Sequence, residues 1–192
     1  MLDFPALGSK EKTINDLCDN LTPADLAAEA HEMIDTVLDL IADCRDEDVI
    51  FVPDDPEAND TYAADDSDVN LAWTLGHVIV HLNASSEESA FLAAEMARGV
   101  ARSGRSRYEI PWQEVTSITQ CRDLLEASRR MLLATLDTWP NPPHYEITSS
   151  VSYVTGTIDA RGRFVLGLGH AFSHLGQIKE IVRQARAART AA

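Results

Sequence analysis

No apolar run in this 192-residue chain approaches the roughly 18 residues that a membrane-crossing helix requires. The opening stretch, MLDFPALGSKEK, has no basic start followed by an apolar core. A secretory signal is therefore not expected, and a cytoplasmic location is. Basic residues are few, 16 against 31 acidic ones, which leaves a formal net charge of −15. Such a field repels phosphate backbones, and no dense basic patch offsets it, so nucleic acid is not an expected partner. Cysteine is scarce and odd in number: Cys18, Cys44 and Cys121 stand far apart, with no C-x-x-C clip. That excludes a disulfide framework and predicts reduced, partly buried thiols. Several catalytic signatures are also missing. There is no G-x-S-x-G elbow, no His-Glu-x-x-His, no Glu-x-x-His and no glycine-rich phosphate loop after a strand. The corresponding chemistries (serine hydrolysis, zincin-type proteolysis, di-iron carboxylate redox, nucleotide binding) have no footing here.

What remains is an ordinary globular composition, 45% hydrophobic with a mean hydropathy of −0.16. At this length one domain spanning 1–192 is expected, with its core at about 20–189. Helical periodicity marks four long segments. The first spans about Pro23 to Asp43. Thr22 serves as N-cap, Pro23 suits the first helical position, and Asp25 completes a capping box. Leu26, Ala30, Met33, Val37, Leu40 and Ile41 form its apolar stripe. The second spans about Val69 to Arg98, capped by Ser67 or Asp68. Leu71, Leu75, Val78, Leu82 and Leu92 lie near one face. Gly104 and Pro111 then break the chain. The third spans Ile118 to about Trp139, with Ser117 and Gln120 at capping-box spacing. Leu124, Leu125, Met131, Leu132 and Leu136 form its buried side. The fourth spans about Gly162 to Arg189, ending in basic turns that suit the helix dipole. Between the first two helices, Asp43 to Asp68 holds eleven acidic residues and one arginine. It reads as a solvated acidic loop with an extended piece at Val49–Val52. A strand-like TSSVSYVTGTI lies between the third and fourth helices. Four amphipathic helices bury their stripes best as an all-α four-helix bundle. Its long loops call for one or two crossover connections.

Six histidines are present, and four of them form two H-x-x-x-H pairs: His77 with His81, and His170 with His174. On a helix, positions i and i+4 share a face about 5–6 Å apart, so two imidazoles can reach one cation. Bonds of about 2.0–2.1 Å to zinc close that geometry without strain. A third imidazole from a facing helix would complete a three-nitrogen set and leave a position open for water or substrate. Gly167, Gly169 and Gly176 crowd the second pair, each costing roughly 1 kcal/mol against alanine in a helix. That cost suits a close approach to the backbone, by a ligand or by a neighbouring helix. The remaining histidines read as bystanders, His31 on the first helix off its apolar stripe and His144 on the surface. Arg129 and Arg130 read as exposed helix charges, and Glu88 as a solvated or inter-helix one.

The stretch WTLGHVIVHLNASSEE, followed about ninety residues on by HAFSHLGQI, resembles the DinB/YfiT superfamily. The matching positions are Trp73, His81 and Leu82, then His170, His174, Gly176 and Gln177. The resemblance implies a four-helix bundle with a three-histidine site in which His81, His170 and His174 are the metal ligands. It implies a divalent ion, zinc or nickel first, and often a homodimer. Characterised branches of that family use low-molecular-weight thiols, as thiol S-transferases and a mycothiol-dependent isomerase. Members commonly carry another residue where this chain has His77. That histidine is either a fourth ligand or, as favoured here, a neighbour supporting the site or facing substrate. Gln177, one turn from His174, is placed to orient an imidazole. Trp73 reads as core or as a wall of the site.

The expected function is therefore metal-dependent activation of water or of a small thiol, giving a hydrolase or a thiol transferase acting on a small molecule. No carboxylate lies one turn from a proposed ligand in the right phase, which favours the thiol, since a bound thiolate needs no further base. The alternative is a non-catalytic, metal-stabilised bundle acting as an interaction protein, with the acidic loop 43–68 as its contact.

Overall fold

The structure, a computed structural model, describes residues 1–61, 68–101, 109–152 and 154–191. It is an all-α bundle. Two short helices come first, α1 (Phe4–Gly8) and α2 (Ile14–Cys18), then α3 (Pro23–Leu40) and the single turn α4 (Asp46–Val49). The longest helix, α5 (Leu75–Ala97), precedes a 3₁₀ turn at Trp112–Glu114 and α6 (Ile118–Asp137). A two-residue hairpin, β1 (Ser149–Ser150) and β2 (Thr157–Ile158), leads into α7 (Ala160–Ser173) and α8 (Leu175–Ala191).

The sequence cues act where expected in α3 and α6. Thr22 Oγ1 accepts from Asp25 N–H while the Asp25 carboxylate accepts from Thr22 N–H, and Ser117 with Gln120 does the same. These reciprocal bonds satisfy two donors that a helix N-terminus otherwise leaves unpaired. The second segment starts later than predicted. Thr74, not Asp68, caps α5 by accepting from His77 N–H, and the alternative cap Ser67 lies outside the described residues. Gly104 and part of the acidic stretch also lie outside them. Within that stretch, Asp46–Val49 form a helical turn where loop was expected, and only Val49 of the extended piece expected at Val49–Val52 falls in it. Asp48 is the cause: its carboxylate accepts from Arg45 N–H and meets Arg189 Nη1 of α8 at 2.6 Å, with the Asp48 side chain only 2% exposed. The predicted fourth helix is two, divided at His174. The His174 N–H bonds to Ala171 O, three residues back, which tightens this one turn before α8 continues with Ile178 N–H on His174 O.

The helices α3, α5, α6 and α7 form a four-membered ring in which α5 packs on α6 and α7, and α3 packs on the same two. Ser86 Oγ donates to Gly167 O, and His81 meets His170, so α5 and α7 are antiparallel. Arg129 reaches His31 and Asp35 while Arg122 reaches Ala42 O, so α3 and α6 are antiparallel. Val115, just before α6, lies against Gly76 at the start of α5, and Phe91–Arg98 share a groove with Met131–Thr138 near their ends, so α5 and α6 run in the same direction. The connection from α5 to α6 must therefore return along the full bundle. That crossover brings residues 109–115 back beside the start of α5, where Val115 O lies against Gly76.

One hydrophobic cluster fills the ring, with Leu26, Met33, Ile79, Leu82, Leu125, Leu132, Leu168 and Ile178 fully buried. Each such side chain stabilises the fold by about 1.5–3 kcal/mol relative to exposure. Among the described residues, no helix is long and apolar enough to cross a membrane.

Candidate metal centre

His81 lies in the second turn of α5. His170 lies in the last turn of α7, and His174 occupies the break that follows it. Antiparallel packing of α5 on α7 brings all three to one end of the bundle. His81 Nε2 is 2.9 Å from His170 Nε2, and His174 Nε2 is 3.3 Å from the same atom. The three rings offer one nitrogen each within 4.8 Å of one another, all three half-buried.

These separations fit a cation. With bonds of about 2.0–2.1 Å, donor–donor edges are about 3.3 Å in a tetrahedron and about 2.9 Å at right angles. The outer partners of the rings reinforce the fit. His174 Nδ1 donates to Gln177 Oε1 at 2.8 Å, and His81 Nδ1 stands 3.3 Å from Glu109 Oε1. A proton on each Nδ1 leaves a lone pair on each Nε2. Lone pairs from His81 and His174 then face His170 Nε2 together, an arrangement that a single imidazole proton satisfies poorly and a cation satisfies fully. Burial lowers the His174 pKa most, with the nearby His81 adding and Gln177 opposing. That favours the neutral imidazole, which is the ligating form.

Trp73 forms a wall of the site, as the sequence suggested. Its ring stacks on His77 with centroids 4.3 Å apart and on His174 at 5.9 Å, and it tilts against His81 at 4.7 Å. His77 is not part of the cluster. It is held between two tryptophans, its ring parallel to Trp112 within 3° at 4.8 Å. Its Nδ1 is buried without a hydrogen-bond partner among the described residues.

The other sequence expectations divide. His144 is exposed, pairing with Glu146, and exposed His31 meets Arg129. Arg129 is not a free surface charge: its side chain is 11% exposed and bridges Glu126, Asp35 and His31. Glu88 is buried, not solvated. Cys18, Cys44 and Cys121 are buried and unpaired in disulfides. Close backbone approach holds for Gly167 alone of the three glycines. A Cβ there would meet Ser89 Cβ at 2.7 Å, whereas Gly169 has ordinary contacts and Gly176 open space.

Two participants escaped the sequence reading, Glu109 and Trp112. Both sit on the returning crossover, where no helical spacing ties them to a histidine. The expectation that no carboxylate lies one turn from a ligand is not touched by this: Glu109 approaches the His81 ring from another part of the chain, 3.3 Å from Nδ1. Among the described residues, no carboxylate joins the three-nitrogen cluster itself.

Residues 12–178 match the model of the DinB superfamily. No curated protein and no solved structure matches the chain.

Proposed function

The chain belongs to the DinB superfamily, and from that premise we propose that His81, His170 and His174 hold a divalent cation that activates a small thiol or water for attack on a small-molecule electrophile. The observation that carries this reading is the meeting of three Nε2 atoms from α5 and the α7–α8 break. Imidazole nitrogen suits zinc and nickel among the available ions. An ion there would supply Lewis-acid activation, lowering the pKa of water or of a thiol towards neutrality.

The surroundings favour the thiol branch. Among the described residues no carboxylate joins the three-nitrogen cluster itself, and a bound thiolate needs no base. The chain's own thiols are unsuited to the role, since burial pushes Cys18 and Cys121 up to about 12 and also raises Cys44. The thiol must then arrive as a low-molecular-weight co-substrate. Its proton leaves to solvent, sulfur forms a bond to the electrophilic carbon, and the leaving group departs with the bonding pair. His77 and Trp73 form the adjoining wall, and Gln177 fixes His174. We place the protein in the cytoplasm as a homodimer acting on small molecules, with 1–192 working as one domain, on family membership and the free thiols.

The test is direct. Protein purified without a polyhistidine tag is assayed for metal content, then for turnover of an electrophilic acceptor with glutathione, bacillithiol or mycothiol. One ion per chain, lost in His170→Ala, together with metal-dependent turnover supports the reading. Bound metal without turnover, coupled to a large fall in melting temperature on its removal, supports a structural staple joining α5 to α7 instead. A metal-free protein with an unchanged His170→Ala variant refutes the site.

A further inference from the structure

We propose that Glu109 is a positioning residue for His81, fixing its tautomer and with it the lone pair on Nε2. The inference rests on the metal reading above and deepens it. Glu109 Oε1 lies 3.3 Å from His81 Nδ1, and the two side chains are 32% and 16% exposed. The carboxylate is therefore partly withdrawn from water, where its charge acts on the imidazole with less screening. It approaches the nitrogen opposite the one that faces His170, so it adds no fourth donor to the cluster. It acts instead through the ring. An Nδ1–H facing a carboxylate leaves the lone pair on Nε2, the nitrogen turned towards the cluster.

Gln177 performs the uncharged version of the same task on His174, at 2.8 Å. One ligand thus leans on an anion and another on a neutral amide oxygen. The two supports also differ in origin. Gln177 comes from three residues beyond its histidine, within the same stretch of chain. Glu109 comes from 28 residues beyond His81, on the crossover that runs back along the bundle. Pro111 and the 3₁₀ turn at Trp112–Glu114 follow it directly, and Trp112 anchors that turn by stacking on His77. The crossover therefore gains a function: its path delivers a charge to the back of a ligand.

Two measurements test this independently of turnover. In metal-free protein, long-range ¹H–¹⁵N NMR reports which His81 nitrogen carries the proton. The wild type should show Nδ1–H, and Glu109→Ala should shift the population towards Nε2–H. Zinc affinity, measured by competition with a chromophoric chelator, should fall about 10–100-fold in Glu109→Ala, with Glu109→Gln intermediate because it keeps an acceptor oxygen and loses the charge. Melting temperatures of the metal-free proteins should agree, since Glu109 sits on a partly exposed connection. Glu109→Gln keeps the volume should Glu109→Ala fold poorly. Zinc binding by both variants within twofold of wild type, with an unchanged His81 tautomer, overturns the proposal. Failure of the wild type itself to bind zinc overturns the metal reading instead, and the tautomer measurement still judges the Glu109–His81 contact on its own.

Discussion

Gly167 of α7 rests on Ser89 of α5 so closely that a Cβ at Gly167 would stand 2.7 Å from Ser89 Cβ and 3.2 Å from Ser86 Cα. The contact lies about one turn from His170 on the same helix pair that carries the candidate site. The separation of α5 and α7, and with it the meeting of His81 and His170, is set by the missing side chain.

Gly167→Ala should therefore be destabilising although alanine is the better helix former. Overpacking costs typically about 1–3 kcal/mol, more than the roughly 1 kcal/mol that replacing a helical glycine returns. The helices must part, so zinc affinity should fall as well. Gly176→Ala is the control. Nothing lies within 4 Å of its added Cβ, so it should gain up to about 1 kcal/mol and leave affinity unchanged. Chemical denaturation and a zinc titration of both variants check the pair. Equal behaviour of the two would show that the crossing does not depend on Gly167.

The His77 imidazole is held down to about 4, first by burial and next by the neighbouring His81, with Glu109, Asp60 and Asp68 pulling the other way. Its unfolded value is near 6.5. Above that pH both states are neutral and His77 adds no pH dependence. As pH falls from 6.5 to 4, the unfolded chain takes up a proton that the native state refuses, so stability declines through that window. At pH 4.5 the loss from this one group, discounted for its partial exposure to solvent, is on the order of 1–2 kcal/mol. His77→Phe keeps a ring between Trp73 and Trp112 and cannot take up a proton. Its stability relative to metal-free wild type should rise by about that amount between pH 7.5 and pH 4.5, read by denaturant unfolding. Parallel pH profiles for the two proteins would contradict the buried neutral imidazole.

The contrast between Gln177 and Glu109 shows how far the chain could be read in advance. Gln177 sits three residues from His174, and helical spacing alone places it against that ring. The caps at Thr22 and Ser117, the stripes of α3 and α6 and the two H-x-x-x-H pairs are legible for the same reason. Each is an interaction within one or two turns. Glu109 touches His81 because α5 and α6 run in the same direction, which forces the connection back along the bundle. Helix direction is settled by packing of the whole ring, and no local period encodes it. The break at His174 and the turn at Asp46–Val49 were missed likewise. The first departs from a helical pattern that continues through it in sequence, and the second depends on Arg189 from the far end of the chain. The three histidines could be paired off by spacing, but their convergence needed the antiparallel crossing of α5 and α7.

Asn83 offers a last test of how this interior balances packing against polarity. Its residue is 5% exposed, and neither its Oδ1 nor its Nδ2 finds a hydrogen-bond partner among the described residues. A buried polar group left unmatched costs about 1–3 kcal/mol. Leucine keeps the same branched four-atom skeleton without polar atoms, and its bulkier methyl groups offset part of the gain, so Asn83→Leu should stabilise the fold by up to about 1 kcal/mol. Asn83→Ala should not, because the cavity it opens offsets the relief. Asn83 is two positions from His81, and such positions point to different sides of a helix, so zinc affinity should hold in both variants. Denaturant unfolding decides the sign. A destabilised Asn83→Leu would mean that the site has no room for the methyl groups or that bound water satisfies the amide. A stabilised one would mark it as tolerated strain within the core.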